Sequence, residues 1–320
     1  MKSSSKLGLV ASLCLALATT LAPAHAAGKP LKILLSMPDM AKPFFVHMMA
    51  TGRAEAAKLG DIELIEADGQ NSSPKQTADI EAALTQGVDG IVISPNDVDA
   101  LAPGLQEAVD AGVPVVTIDR RVEKVPGLLG HVGADNVLGG EAQAKLVMKM
   151  FPNGATIMNL QGEPGASPAI DRNKGLHNVL DPVKDKYKIV FEDTAHWARD
   201  KGQAMTETAL AGMSTPPDAI VAANDEMAFG ALEALKDRNL VGKVALIGFD
   251  ALPEALLQVR DGNMTATIEQ MPGGQVSGAF EVLVSYLRDN KKPAQQVTLL
   301  TPIAVTKDNL NQGERLSEVK

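Results

Sequence analysis

Cysteine is nearly absent from this 320-residue sequence: it occurs once, as Cys14. That excludes a disulfide framework, a Cys-x-x-Cys redox pair and a thiolate metal cage. Aromatic residues are scarce too, with seven Phe, two Tyr and one Trp, so the places where they gather carry information. Basic charge is in deficit: 30 Lys+Arg face 39 Asp+Glu, a formal charge of −9. A surface that neutralises phosphates needs the opposite balance, which argues against nucleic acid as a partner. Beyond the N-terminus no stretch approaches the 18 or so uninterrupted apolar residues that suggest a membrane span.

Enzyme signatures are missing as well. His47, His131, His177 and His196 are scattered, without His-Glu-x-x-His or another metal-ligand spacing, and read as structural or exposed. Gly162-Glu163-Pro164-Gly165 is not followed by Lys-Ser/Thr and so is no P-loop. No Gly-x-Ser-x-Gly elbow accompanies a candidate triad. Asp119 and Asp250 are the carboxylates an acid/base pair for glycoside hydrolysis would need, but each has a nearby cation or a loop role. No catalytic residue, cofactor or metal is expected.

What is present begins with a leader. Lys2 and Lys6 precede a mostly apolar run from Leu7 to Leu21, and Ala24-His25-Ala26 supplies small residues at the usual cleavage spacing. This predicts an export segment, residues 1–26, removed after about Ala26, in preference to a buried N-terminal helix. Leu13 before Cys14 argues against a lipoprotein signal, and Cys14 departs with the leader. Losing two Lys and no acidic residue leaves 294 residues and moves the charge from −9 to −11. The remainder reads as an exported soluble protein, and export without disulfides suggests a bacterial periplasm.

The body alternates strands and helices. Aliphatic, β-branched runs recur at Leu31–Ser36, Ile62–Ala67, Gly90–Ser94, Val113–Ile118, Thr156–Leu160, Lys188–Phe191, Ala219–Ala223, Val244–Gly248 and Met264–Ile268. Helical patterns at three- and four-residue spacing separate most of them, as at Phe45–Leu59, Gln76–Gln86, Glu141–Met150 and Met227–Leu235. Near-continuous apolar strands between helices predict an α/β protein with doubly wound parallel sheets covered on both faces. Nine or more strands suit two βαβ lobes better than one sheet, with a changeover near His131–Asn136.

Ligands of such sheets bind beyond the carboxyl ends of the strands. There the sequence places Lys42-Pro43-Phe44-Phe45, Ser94-Pro95-Asn96-Asp97, Asp119-Arg120-Arg121, Asn224-Asp225-Glu226, Phe249-Asp250 and Gln270. Carboxylates accept from vicinal sugar hydroxyls, Arg presents a fixed fork of donors, and an aromatic face suits the C–H face of a sugar ring. Phe44, Phe45, Phe249 and Trp197 make four of the ten aromatics, a concentration that core packing alone does not explain.

These residues carry a resemblance over essentially the whole mature chain. Pro43-Phe44-Phe45, Asp119-Arg120, Asp135-Asn136-Val137-Leu138-Gly139-Gly140, Leu160-Gln161-Gly162, Asn224-Asp225-Glu226-Met227-Ala228, Gly248-Phe249-Asp250 and Ala266-Thr267-Ile268 with Gln270 occur in this order. Together they resemble the periplasmic sugar-binding proteins of ABC importers, most closely the ribose-binding group. The resemblance implies the type I periplasmic-binding-protein fold, two similar lobes joined by a three-crossing hinge. The lobes would be residues 27–134 plus 271–298 and residues 135–270 plus 299–320. It implies Phe44, Phe45, Asp119, Arg120, Arg172, Asn224, Asp250 and Gln270 as ligand residues, with Trp197 where that group has phenylalanine. Phe249 is not a ligand residue in the family and is left out.

Some positions depart from the ribose pattern. Lys42 and Ser94 each replace an asparagine, and the loop from Ser36 to Lys42 is about two residues longer, which could bring Asp39 or Met40 into the site. Lys42, Arg120 and Arg172 against Asp119 and Asp250 leave one excess positive charge, which keeps an acidic sugar open. Plainer roles also fit: one of Phe44 and Phe45 in the core, Asn224 as a helix cap, Ser94 as a turn residue, Lys42 in solvent. The expectation is a monomeric protein that captures a monosaccharide, a pentose such as ribose or a related sugar or polyol. It would deliver this solute to a membrane permease, with an acidic sugar or sugar-like signal and a chemoreceptor as the alternatives. A sugar-responsive repressor of the same fold would need an N-terminal helix-turn-helix where the leader stands.

Overall fold

The computed structural model describes residues 29–319; the expected export segment lies outside the described residues. In chain order the elements are β1 (Leu31–Met37), α1 (Pro43–Leu59), β2 (Ile62–Asp68), α2 (Ser73–Thr85), β3 (Gly90–Ile93), α3 (Ala102–Asp110) and β4 (Val115–Ile118). Then come β5 (Gly130–Ala134), α4 (Asn136–Met150), β6 (Ala155–Gln161), α5 (Ser167–Leu180), β7 (Tyr187–Thr194), α6 (Arg199–Gly212), β8 (Ala219–Ala222) and α7 (Asp225–Asp237). The chain ends with β9 (Ala245–Ile247), α8 (Pro253–Asp261), β10 (Ala266–Glu269), α9 (Pro272–Asp289), β11 (Val297–Leu300) and β12 (Ile303–Thr306), followed by short 3-10 turns.

The strands form two six-stranded sheets, ordered β2-β1-β3-β4-β5-β11 and β7-β6-β8-β9-β10-β12. All strand pairings are parallel except β10–β12, where Ala266 faces Thr306 and Glu269 faces Ile303. Helices cover both faces, which is why the central strands are apolar on both sides. In the first sheet Ile33, Leu35 and Met37 face Met48, Met49, Phe280 and Leu283 of α1 and α9. Leu34, Ile91 and Ile93 face Ile80 of α2 and Leu105 of α3. The second sheet repeats the scheme, with Ile157 and Val221 against Val147 and Leu176 of α4 and α5. The fold is the doubly wound two-lobe α/β architecture expected.

The chain passes between the sheets three times: at Asp135, at Gln270–Met271 and at Thr301–Pro302. The last passage comes two residues later than the boundary read between 298 and 299, because Leu299 and Leu300 still pair with Gly133 and Ala134. One helix crossing, α4 on α5, depends on two missing side chains. A Cβ on Gly140 of α4 would lie 2.0 Å from the carbonyl oxygen of Arg172, and one on Gly175 of α5 would lie 2.0 Å from that of Val137. The helices therefore touch backbone to backbone, and this approach sets the position of Arg172.

Candidate ligand-binding site

The carboxyl ends of both sheets face a cleft of about 580 Å3 of atom-free space, part of it open to solvent. From the first lobe it is lined by Asp39, Lys42, Phe44, Phe45, Asn71, Asp119 and Arg120. From the second lobe and the hinge come Pro168, Arg172, His196, Trp197, Asn224, Asp250 and Gln270.

Each side chain has a local reason to be there. Pro43 opens α1 at a position where its missing N–H costs nothing, so Phe44 and Phe45 project from the first turn. Their rings meet edge to face at 5.3 Å, and Arg120 lies over the Phe45 ring at 5.3 Å. Both rings line the cleft, although a core place for one of them was an open alternative; each is also more than nine-tenths buried. Asp119, directly after β4, and Asp250, three residues after β9, have φ of 56° and 112°; His196 and Trp197 have 51° and 57°. Such left-handed conformations in non-glycine residues cost on the order of 1–3 kcal/mol each and persist only where neighbours enforce them. Backbone bonds do so here: Asp119 N–H donates to Val132 at 3.1 Å and Asp250 N–H to Ile268 at 2.8 Å.

The second lobe holds its arginine firmly. Arg172 Nε donates to Asn136 Oδ1 at 2.8 Å and Nη1 to the Ala223 carbonyl at 2.6 Å, with Asp250 Oδ1 3.5 Å away. Its guanidinium rests on Phe249 at 3.5 Å from the ring centroid and lies 5.6 Å from Trp197. Phe249 thus supports the site from behind without lining it, in space that Gly139 leaves free. Gly162 does the same for Trp197: a Cβ there would sit 2.1 Å from the indole. Asn224 Oδ1 caps α7 by accepting from Met227 N–H at 2.9 Å, and its side chain still borders the cleft.

Ten of the eleven site residues named from sequence line one cavity; Ser94 does not. It is buried, and its hydroxyl donates to Asp119 Oδ2 at 3.0 Å, so it orients a carboxylate and presents nothing to the cleft. Asp39 enters through the lengthened loop, whereas Met40 does not. Asn71 and His196 also line the cleft without having been singled out as binding residues. His196 is the exposed residue foreseen, yet it stands at the rim, paired with Glu163 at 3.0 Å. With Asp39 counted, three cationic side chains face three carboxyl groups, and the formal excess of one positive charge that kept an acidic sugar open disappears. Among the described residues no group of three or more His, Cys, Asp or Glu is placed to hold a metal ion.

Burial dominates the electrostatics. It pushes the Asp250 carboxyl up to about 7, against the pull of Arg172 and the Gln270 amide that donates to it at 2.6 Å. Burial also raises Asp119, opposed by Arg120, Arg172 and Ser94. Two buried polar atoms at the cleft, the Trp197 Nε1 donor and the Gln270 Oε1 acceptor, have no hydrogen-bond partner within the protein. Buried orphans of this kind are expensive, and a polar guest in the cleft is a natural partner for them. The cavity therefore offers acceptors, forked donors and flat apolar walls from both lobes at once, the set a small polyhydroxylated ring requires.

Known proteins resemble the chain along most of its length. A family model described as a periplasmic binding protein domain matches residues 33–292. The ribose import binding protein of Bacillus subtilis is 41% identical over 249 residues, 76% of this chain and 77% of that protein. A xylitol-binding protein of Mycolicibacterium smegmatis is 29% identical over 267 residues, 83% of this chain and 75% of that protein. Among solved structures, the Caulobacter myo-inositol binding protein bound to myo-inositol has a TM-score of 0.86 and 39% identity, covering 93% of this chain and 99% of that one.

Proposed function

As a member of the periplasmic binding protein family, the chain is a sugar- or polyol-binding component of an ABC importer, and we propose that its solute is a six-membered cyclic polyol of the inositol type. The protein is periplasmic and binds its solute without converting it. The observation that carries the proposal is the likeness, over 93% of this chain, to a structure whose bound solute is myo-inositol. The cleft supports it: Trp197 offers a larger wall than a phenyl ring, and Ser94 is withdrawn behind Asp119 where a longer arm would narrow the site.

Binding works through closure. The solute bridges Asp119 and Arg120 of one lobe to Arg172, Asp250 and Gln270 across the cleft, so it has more contacts in the closed form and shifts the equilibrium toward it. The permease then receives the closed protein. The working form is a monomer from which residues 1–26 have been removed after about Ala26, and the same closed surface is what a chemoreceptor would read. A second reading, D-ribose, is favoured by the Bacillus subtilis relative. Calorimetric titration with myo-inositol, D-ribose, xylitol and a sugar acid decides between them. The proposal expects myo-inositol to bind at least tenfold more tightly than the others; equal or tighter ribose binding would overturn it.

A further inference from the structure

Two residues that line the cleft have neighbours that hold each other. Arg120 lines it from the first lobe and Arg172 from the second. One position along each chain, Arg121 and Asp171 form a two-pronged ion pair across the lobes, Arg121 Nη1 to Asp171 Oδ2 and Nη2 to Asp171 Oδ1 at 3.1 Å. Beside it the backbone N–H of Arg121 donates to the buried Ser167 hydroxyl at 2.9 Å. Farther along the seam Val98 N–H donates to the Gly165 carbonyl at 3.0 Å. Gly165 has φ +84°, and a Cβ on it would lie 2.0 Å from Asp97 Oδ2. None of these five bonding residues lines the cleft.

We propose that Arg121 and Asp171 are positioning residues for solute binding, an interlobe latch that brings Arg120 and Arg172 to their spacing around the guest. The proposal rests on reading the cleft as the solute site. Arg121 follows β4 and Asp171 lies on α5, so separating the lobes breaks their pair. The latch and the solute therefore stabilise the same closed state, and each strengthens the other. Because neither Arg121 nor Asp171 lines the cleft, their pair forms independently of the solute, and the latch draws the ligand-free protein into the closed state too. The latch is shallow for two reasons. Arg121 is about one-third exposed, and Glu123 of its own lobe stands 3.7 Å away as a substitute partner when the lobes part. A latch that touches no solute atom scales the affinity for every solute by one factor, whereas a specificity residue does not.

The test uses Asp171→Asn, Arg121→Gln and the double variant, with Asp99→Asn as control, since Asp99 pairs with Lys124 on the surface of the first lobe alone. Calorimetry and stopped-flow Trp197 fluorescence are run with myo-inositol and with D-ribose, and small-angle scattering on the ligand-free proteins. Each single variant is expected to bind every solute about two- to fivefold more weakly, with one common factor carried by faster dissociation. The double variant should be no weaker than either single one. The ligand-free variants should show a larger radius of gyration than the parent, and the control should match the parent throughout. Unchanged affinity, losses that differ between solutes, or unchanged ligand-free scattering would overturn the latch. If the parent bound neither probe, the solute assignment would fail while the scattering still decided the latch.

Discussion

Gly162→Ala tests whether the indole of Trp197 is a wall of the binding cleft. A methyl carbon at residue 162 would lie 2.1, 2.2 and 2.4 Å from Cη2, Cζ2 and Cζ3 of the ring. Carbon atoms rest comfortably at about 3.5 Å or more, so the ring must move by roughly 1.4 Å. Gly162 is not among the glycines with positive φ, so the backbone itself accepts alanine. The cost falls on packing: inserting a methyl into a filled site costs about 1–3 kcal/mol. Spent on the ligand-competent position of Trp197, that corresponds to about 5- to 150-fold weaker binding. The protein has a single tryptophan, so its emission reports the displaced ring directly while calorimetry reports affinity. Gly162→Ala/Trp197→Phe, which removes the crowded atoms, should recover most of the loss. Parental affinity in Gly162→Ala, with unshifted emission, would refute the role given to the indole.

Asp119→Ala, Arg120→Ala and Asp250→Ala should each weaken solute binding by about 2–4 kcal/mol, because each strips partners from buried polar groups; calorimetry in which two of the three bind like the parent would discredit the site. The pH response follows from Asp250. With its carboxyl raised to about 7 from about 3.9 in the unfolded chain, the native state holds the extra proton between these values, so this residue's contribution to stability falls as pH rises through that window. His131, held at about 4 by burial and by Arg121, contributes in the opposite sense, mostly between about 4 and 6.5, and it cancels when two proteins that both keep it are compared. Ligand-free parent should therefore lose melting temperature relative to Asp250→Asn between pH 6 and 8. Solute hydroxyls donating to the carboxylate should make binding tighten over the same interval. Parallel melting curves for the two proteins would remove Asp250 from the account.

The central strands were legible because helices cover both faces: β3 and β8 are wholly apolar, and β1, β4 and β6 are mostly aliphatic with only one to three polar residues each. Three strands escaped notice for physical reasons. β5 reads Gly-His-Val-Gly-Ala and has little apolar signal, so in the sequence it merges with the changeover near His131–Asn136. β11 is an edge strand with Val297 and Leu299 about half exposed, and β12 is an antiparallel edge strand. The site was legible where function follows from strand ends, as for Asp119, Asn224 and Asp250. Ser94 shows the limit of that logic, since a residue at the right strand end turned its hydroxyl to a neighbour. Asn71 and His196 carried no pattern of their own; both sit in left-handed turns that only the folded backbone reveals. The α4–α5 crossing that depends on Gly140 and Gly175, and the space that Gly162 leaves for the Trp197 indole, are likewise invisible until the chain folds.

The threading of the first sheet has a consequence for biosynthesis. Its edge strand β11 and its covering helix α9 come from residues 272–300, after most of the second lobe has been made. Until they emerge from the ribosome, Ile33, Leu35 and Val92 lack the Phe280 and Leu283 side chains that shield them. The first lobe therefore cannot complete its core until residues 272–300 have been made, and it stays open late into translation.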